Sequence, residues 1–135
     1  MLELKHIKKI YNPGTVSETS LFTDFNLTVE DGSFVSVVGS NGSGKTSMLN
    51  IICGSIPVQG GTVSVGGRVI NKDREFVRYR HIGRVYQNPA MGTCPDLTIL
   101  ENMSLADNKG KHFGLSFGVN KSRAGYYKEQ LASLG

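Results

Sequence analysis

An α/β fold is predicted for this chain of 135 residues by three observations. An apolar run, Phe34-Val35-Ser36-Val37-Val38, reads as a buried strand. Residues 46–53, Thr-Ser-Met-Leu-Asn-Ile-Ile-Cys, read as a helix. Between them stands Gly39-Ser40-Asn41-Gly42-Ser43-Gly44-Lys45-Thr46. Strand, glycine-rich loop and helix in that order make a phosphate-binding unit, the core of a P-loop NTPase. An antiparallel β subdomain and the start of an α-helical subdomain complete the expected architecture.

The other elements follow from local pattern. Residues 2–10 read as a strand with Leu2 and Leu4 on one face. Residues 11–20 are polar and carry the turn Asn12-Pro13-Gly14. Residues 21–30 alternate, with Phe25, Leu27 and Val29 sharing a face, and Asp31-Gly32 is expected to turn them into a hairpin with strand 33–38. After the first helix, Gly54 and Pro57 break the pattern. Residues 62–65 form a short strand, Gly66-Gly67 a turn, and residues 68–70 pair back. Residues 74–80 suit a short basic helix, and residues 82–86 a strand ending at Gln87. Pro89 and Pro95 mark a loop. Thr98 and Glu101 have the spacing of a capping box, opening a helix to about Ala106. Residues 107–120 are a polar, glycine-bearing connection, and residues 121–133 a last helix with Tyr126, Tyr127, Leu131 and Leu134 as apolar positions.

Composition narrows the function. The length suits one domain or most of one, and 39% hydrophobic residues can build a core. A net charge of +4 and a pI near 9.2 fit an anionic ligand but do not by themselves name nucleic acid. No apolar run has the length of a membrane span, and the start Met-Leu-Glu-Leu-Lys-His is no secretory signal. Cys53 reads as a small core residue and Cys94 as a loop residue. Neither implies a disulfide framework, which fits a reducing cytosol.

The loop's residue types match the chemistry of a triphosphate. A backbone that curls around a polyanion must point several N–H groups inward. Glycines at 39, 42 and 44 permit the turns and the close approach. The helix that starts at about Gly44 or Lys45 turns its unpaired N–H groups and positive dipole end toward the phosphates. Lys45 is placed to reach the β- and γ-phosphates, and the Thr46 hydroxyl to take a Mg²⁺ position. Ser40, Asn41, Ser43 and Ser47 are small and polar, which suits the same surroundings. A dinucleotide site would show Gly-x-Gly-x-x-Gly without the Lys-Thr pair. That pair favours a nucleoside triphosphate.

Together these motifs resemble the ATP-binding subunit of ABC transporters, over nearly all 135 residues. The loop looks like that family's version. Ile82-Gly83-Arg84-Val85-Tyr86-Gln87-Asn88-Pro89 is similar to its Q-loop strand, at a similar distance from the lysine. Leu97-Thr98-Ile99-Leu100-Glu101-Asn102 resembles the stretch after it, and Tyr11 lies where the family places an aromatic that stacks on adenine. The resemblance implies a base platform at Tyr11 flanked by Val16, and a Gln87 amide that reaches Mg²⁺ or the attacking water. It implies ATP and Mg²⁺ as cofactors, a second ATP-binding subunit packed head to tail, and a transmembrane permease docking near the Q-loop. It also implies a cytoplasmic location at the inner face of the membrane, with cargo chosen by other subunits. Residues 1–88 would hold the β subdomain and P-loop core, and residues 89–135 the Q-loop and the start of the helical subdomain.

The departures are as informative. The family's Leu-Ser-Gly-Gly-Gln signature, its apolar strand ending in Asp-Glu and its later His are missing. Leu115-Ser116-Phe117-Gly118 starts like the signature, but Val119-Asn120 comes next. The expectation is the amino-terminal part of a longer subunit, holding no catalytic residue of its own and inactive alone. Two other readings compete: a truncated, non-hydrolysing nucleotide-binding module, and a soluble ABC-type ATPase acting on nucleic acid or ribosomes. The second draws on the basic cluster Lys72, Arg74, Arg78, Arg80, His81 and Arg84. Asp73 and Glu75 interrupt that cluster, so a solvated helix face is preferred and no nucleic acid is expected.

Overall fold

The computed structural model describes residues 1–111, 118–119 and 121–134. They fall into two compact units, residues 1–83 and 84–135. The first is an antiparallel sheet of order β2-β1-β3-β4, built from β1 (Leu2–Tyr11), β2 (Thr19–Val29), β3 (Gly60–Val65) and β4 (Arg68–Val69). Helix α1 (Lys45–Cys53) and the single turn α2 (Glu75–Arg78) join it. Leu4, Ile7 and Val63 from the sheet pack with Met48, Ile51 and Ile52 of α1 and with Ile70. Burying branched side chains of this size stabilises the unit by roughly 1.5–3 kcal/mol each.

Strand β1 does not keep strict alternation. Its pairing slips between Lys5 and Lys8 against β3, and between Leu4 and Ile7 against β2. His6 adopts a φ of 53° at this bulge. Gly61 of β3 has a φ of +86°, and a Cβ there would lie 2.4 Å from the His6 carbonyl oxygen. The inward set therefore changes parity along the strand. Leu4 is buried before the bulge, and Ile7 and Lys9 after it. A bulge inserts one extra residue and re-aims the side chains beyond it.

Two expected strands are not formed. Residues 33–40 and 82–86 carry no strand pairing, although the first segment is rich in β-branched and aromatic residues. Phe34 and Val38 are almost fully exposed, and so is Val85. The physical reason is that a parallel strand takes its hydrogen bonds from a neighbour distant in sequence. Among the described residues no such neighbour lies beside either segment. The predicted hairpin of β2 with residues 33–38 does not form either: the turn after Glu30 closes through Ser33 N–H to Glu30 O, with no ladder beyond it.

The second unit contains a 3₁₀ turn (Pro89–Met91), α3 (Ile99–Asp107), a second 3₁₀ turn (Lys121–Arg123) and α4 (Ala124–Ala132). The capping box at the start of α3 is present. The Glu101 N–H donates to Thr98 Oγ1 at 3.3 Å, and the Thr98 N–H to Glu101 Oε2 at 2.8 Å. Of the apolar positions expected on the last helix, Tyr127 is buried and its hydroxyl donates to Asp107. Tyr126, Leu131 and Leu134 are exposed, because α4 buries one narrow face rather than a stripe. Residues 115–117, which resemble the start of a signature loop, lie outside the described residues. No helix among the described residues is long and apolar enough to cross a membrane.

Candidate functional site

The glycine-rich loop and the start of α1 form an anion-ready turn. Gly44 occupies the N-cap with φ 92° and ψ 4°, a left-handed conformation. Gly42 is also left-handed, at 83°. Gly39 serves a different need, since a Cβ there would meet Ser43 Oγ at 2.6 Å. The Ser43 N–H donates to Ser40 O and closes the turn, and the first helical bond runs from the Met48 N–H to Gly44 O. The N–H groups of Lys45, Thr46 and Ser47 come before that bond and have no acceptor inside the helix. No side chain caps this end, and no acidic residue lies in its first turn. The helix terminus therefore keeps its positive character for an incoming anion.

Lys45 folds back over the loop. Its ammonium donates to the Gly39 carbonyl at 2.6 Å and the Ser40 carbonyl at 2.7 Å. A cation held over the loop, beside a helix N-terminus with free N–H groups, suits an oxyanion such as phosphate. Thr46 is exposed. Ser40, Asn41 and Ser43 are exposed as well.

Tyr11 ends β1 on the side of α1. Its hydroxyl donates to Ser47 Oγ at 3.2 Å, so the structure brings the candidate base platform to the helix after the loop. Val16 is fully exposed in the connection between β1 and β2. Gln87 is exposed and belongs to the second unit. Next to it, the Asn88 side chain accepts from the Ala90 N–H and caps the adjoining turn. The segment after Gln87 is pinned by Asn102, which accepts from the Cys94 N–H and donates to the Cys94, Leu97 and Thr98 carbonyls. Cys53 is buried and Cys94 exposed, both unpaired.

Two residues have a role that the sequence pattern hides. Lys9 reads as ordinary strand, yet it is buried beneath Tyr11, 5.0 Å from the ring centroid. Its i, i+2 spacing from Tyr11 is the available signal. Arg78 reads as part of a solvated basic face, and its burial corrects this. Its guanidinium donates to the carbonyls of Ile51, Ile52, Asn71 and Asp73. Desolvation lowers its pKa from the ordinary value, and Asp73 opposes that shift. Lys72, Arg74, Arg80 and His81 are exposed, while Arg78 is lost from the solvated face.

The family model described as ABC transporter matches residues 22–134. A tyrosine transport ATP-binding protein of Clostridioides difficile (strain R20291) is 40% identical over 115 residues, which is 85% of this chain and 46% of that protein. The spermidine/putrescine import ATP-binding protein PotA of Haemophilus influenzae (strain ATCC 51907 / DSM 11121 / KW20 / Rd) is 35% identical over 105 residues, 77% of this chain and 26% of that protein. Among solved structures, the ATP-binding cassette MJ0796 in a dimeric post-hydrolysis state with ADP and Pi superposes with a TM-score of 0.77. The two are 30% identical, over 98% of this chain and 56% of that one. The chain thus spans less than half the length of the two curated relatives. With a family match over most of its residues, the chain belongs to the ABC transporter family.

Proposed function

We propose that residues 39–47 hold the phosphates of ATP, and that the complete subunit hydrolyses ATP to drive a solute across a membrane. The observation that carries the reading is the uncapped, acid-free start of α1 behind Gly44, with the Lys45 ammonium poised over the loop. Gly39, Gly42 and Gly44 give the backbone room to close on a polyanion, while Ser40, Asn41 and Ser43 line it. The N–H groups of Lys45, Thr46 and Ser47 bind the phosphate oxygens, and Tyr11 stacks on the base, with Val16 beside it.

A Mg²⁺ ion suits the same residues. The Thr46 hydroxyl and the Gln87 amide are neutral oxygen donors, as expected of an ion held mainly through phosphates and water. Among the described residues no group of three or more His, Cys, Asp or Glu forms a separate cage. Such an ion would neutralise charge between the β- and γ-phosphates. Gln87 would orient water near it.

Relatives with this domain carry names of transport proteins, and a solved relative is dimeric. By analogy, the subunit pairs head to tail with a second one at the cytoplasmic face of the membrane, and docks a permease near residues 87–97. The 135 residues alone bind nucleotide without steady turnover, because the Asp-Glu strand and the signature loop are absent from them. The test is calorimetry with MgATP on the chain and on Lys45→Ala. Affinity should fall at least tenfold in the variant, as loss of a charge-assisted phosphate contact implies. Equal affinity would overturn the assignment of the loop, and steady ATPase activity of the 135 residues that Lys45→Ala abolishes would overturn the inactivity.

A further inference from the structure

We infer that Lys9 is a positioning residue for base recognition: its buried ammonium braces the Tyr11 ring, so that preference for ATP over a bare polyphosphate depends on Lys9. The inference rests on the reading of Tyr11 as the base platform. Lysine is almost never fully buried without partners, yet Lys9 is 6% exposed. Its Nζ donates to the Pro57 carbonyl at 2.9 Å and sits 5.0 Å from the centre of the Tyr11 ring. That carbonyl fixes the ammonium, and the ammonium fixes one face of the ring. At its far end the ring is fixed again, by the hydroxyl bond to Ser47 Oγ at 3.2 Å.

The strand under these side chains is fixed as well. The Gln59 amide accepts from the Ile10 N–H at 3.1 Å and donates to the Ile10 carbonyl at 2.9 Å, standing in for a further ladder rung. Past the bulge at His6, Lys9 is buried like Ile7 two residues before it, and the contact of its ammonium with the ring puts Tyr11 on the same side. A ring held at two points loses little freedom when a base arrives, which improves affinity through preorganisation. The charge contributes too. A cation on one face draws π density toward itself and eases the stacking of an electron-rich base on the other face. Phosphate contacts lie elsewhere, in the loop, so the effect is confined to the base.

Calorimetric titrations with MgATP and with magnesium tripolyphosphate test this on the chain, Lys9→Met, Lys9→Arg and Tyr11→Phe. The parent chain should prefer ATP. Lys9→Met should lose roughly threefold to tenfold in ATP affinity, the size of a desolvated cation–π contact, with tripolyphosphate affinity unchanged. Lys9→Arg should restore most of the loss. Tyr11→Phe keeps the stacking face and drops the tie to Ser47; it should lose about threefold for ATP alone, and it serves if Lys9→Met does not fold. Undiminished preference for ATP in Lys9→Met, or an equal loss for both ligands, overturns the brace while leaving the loop assignment intact. A parent chain that binds both ligands equally removes the base platform and the brace together.

Discussion

Arg78 brings a full charge into the interior of the first unit, and four backbone carbonyls answer it. Two of them, from Ile51 and Ile52, lie in the last turn of α1, where a cation also complements the helix dipole. Replacing Arg78 by Met would remove these donors, leaving the Ile51 carbonyl with the Gly54 N–H alone and the Ile52 carbonyl without its guanidinium partner. Stability to urea should fall by about 2–4 kcal/mol, and Arg78→Lys should recover only part of it, since an ammonium lacks the planar fork. Gly54→Ala should be costly for a related reason. Its φ is +90°, and a Cβ there would lie 2.7 Å from Arg78 Nε. Gly44→Ala combines a φ of +92° with a Leu21 Cδ1 at 3.0 Å, and should weaken MgATP binding in titrations more than it lowers the unfolding midpoint. The glycines of the loop are legible in the sequence because a phosphate turn is a local signal. Arg78 is not, because its burial depends on carbonyls more than twenty residues away in the chain.

Helix α1 links the core to the loop, with Met48, Ile51, Ile52 and Cys53 buried. Ile51→Ala should cost about 2–5 kcal/mol by opening a cavity under the sheet, and both nucleotide binding and folding should suffer together in thermal melts. Helix α3 depends more on its start. The carboxyl of Glu101 is held below its ordinary value of 4.5, first by the Thr98 hydroxyl and then by the Thr98 N–H. A depressed carboxylate contributes its stabilisation above that ordinary value and loses it as the pH falls through the lowered one. Protection from hydrogen exchange in the first turn of α3, taken relative to the intrinsic rate at each pH, should therefore fall below pH 4.5, and Thr98→Ala should show the lower protection already at neutral pH. Both ends of this helix can be read from sequence, since caps are short-range. The pairing of residues 33–38 and 82–86 cannot, because an apolar run specifies a strand but leaves its neighbours unnamed.

At the scale of the molecule, the first unit leaves apolar surface open. A groove of about 420 Å³ beside the loop is lined by Phe22, Phe25, Leu27, Val35, Val37 and Met48. Phe34 and Val38 project from the same segment at 96% and 92% exposure. Unpaired β-forming segments of this kind promote association. The 135-residue chain should self-associate with rising concentration in sedimentation experiments, and Phe34→Lys with Val38→Lys should suppress this without lowering the melting midpoint. The bulge at His6 has a different reach. Strict alternation through the same residues would give Ile10 the inward facing that Lys9 and Tyr11 now hold. Deleting His6 would remove the bulge and keep both of them on the side of Leu4, whereas deleting Lys8, past the bulge, would turn both outward. Between Ile7 and Tyr11 an odd change of length strands the aromatic ring on the wrong side of an otherwise intact ribbon.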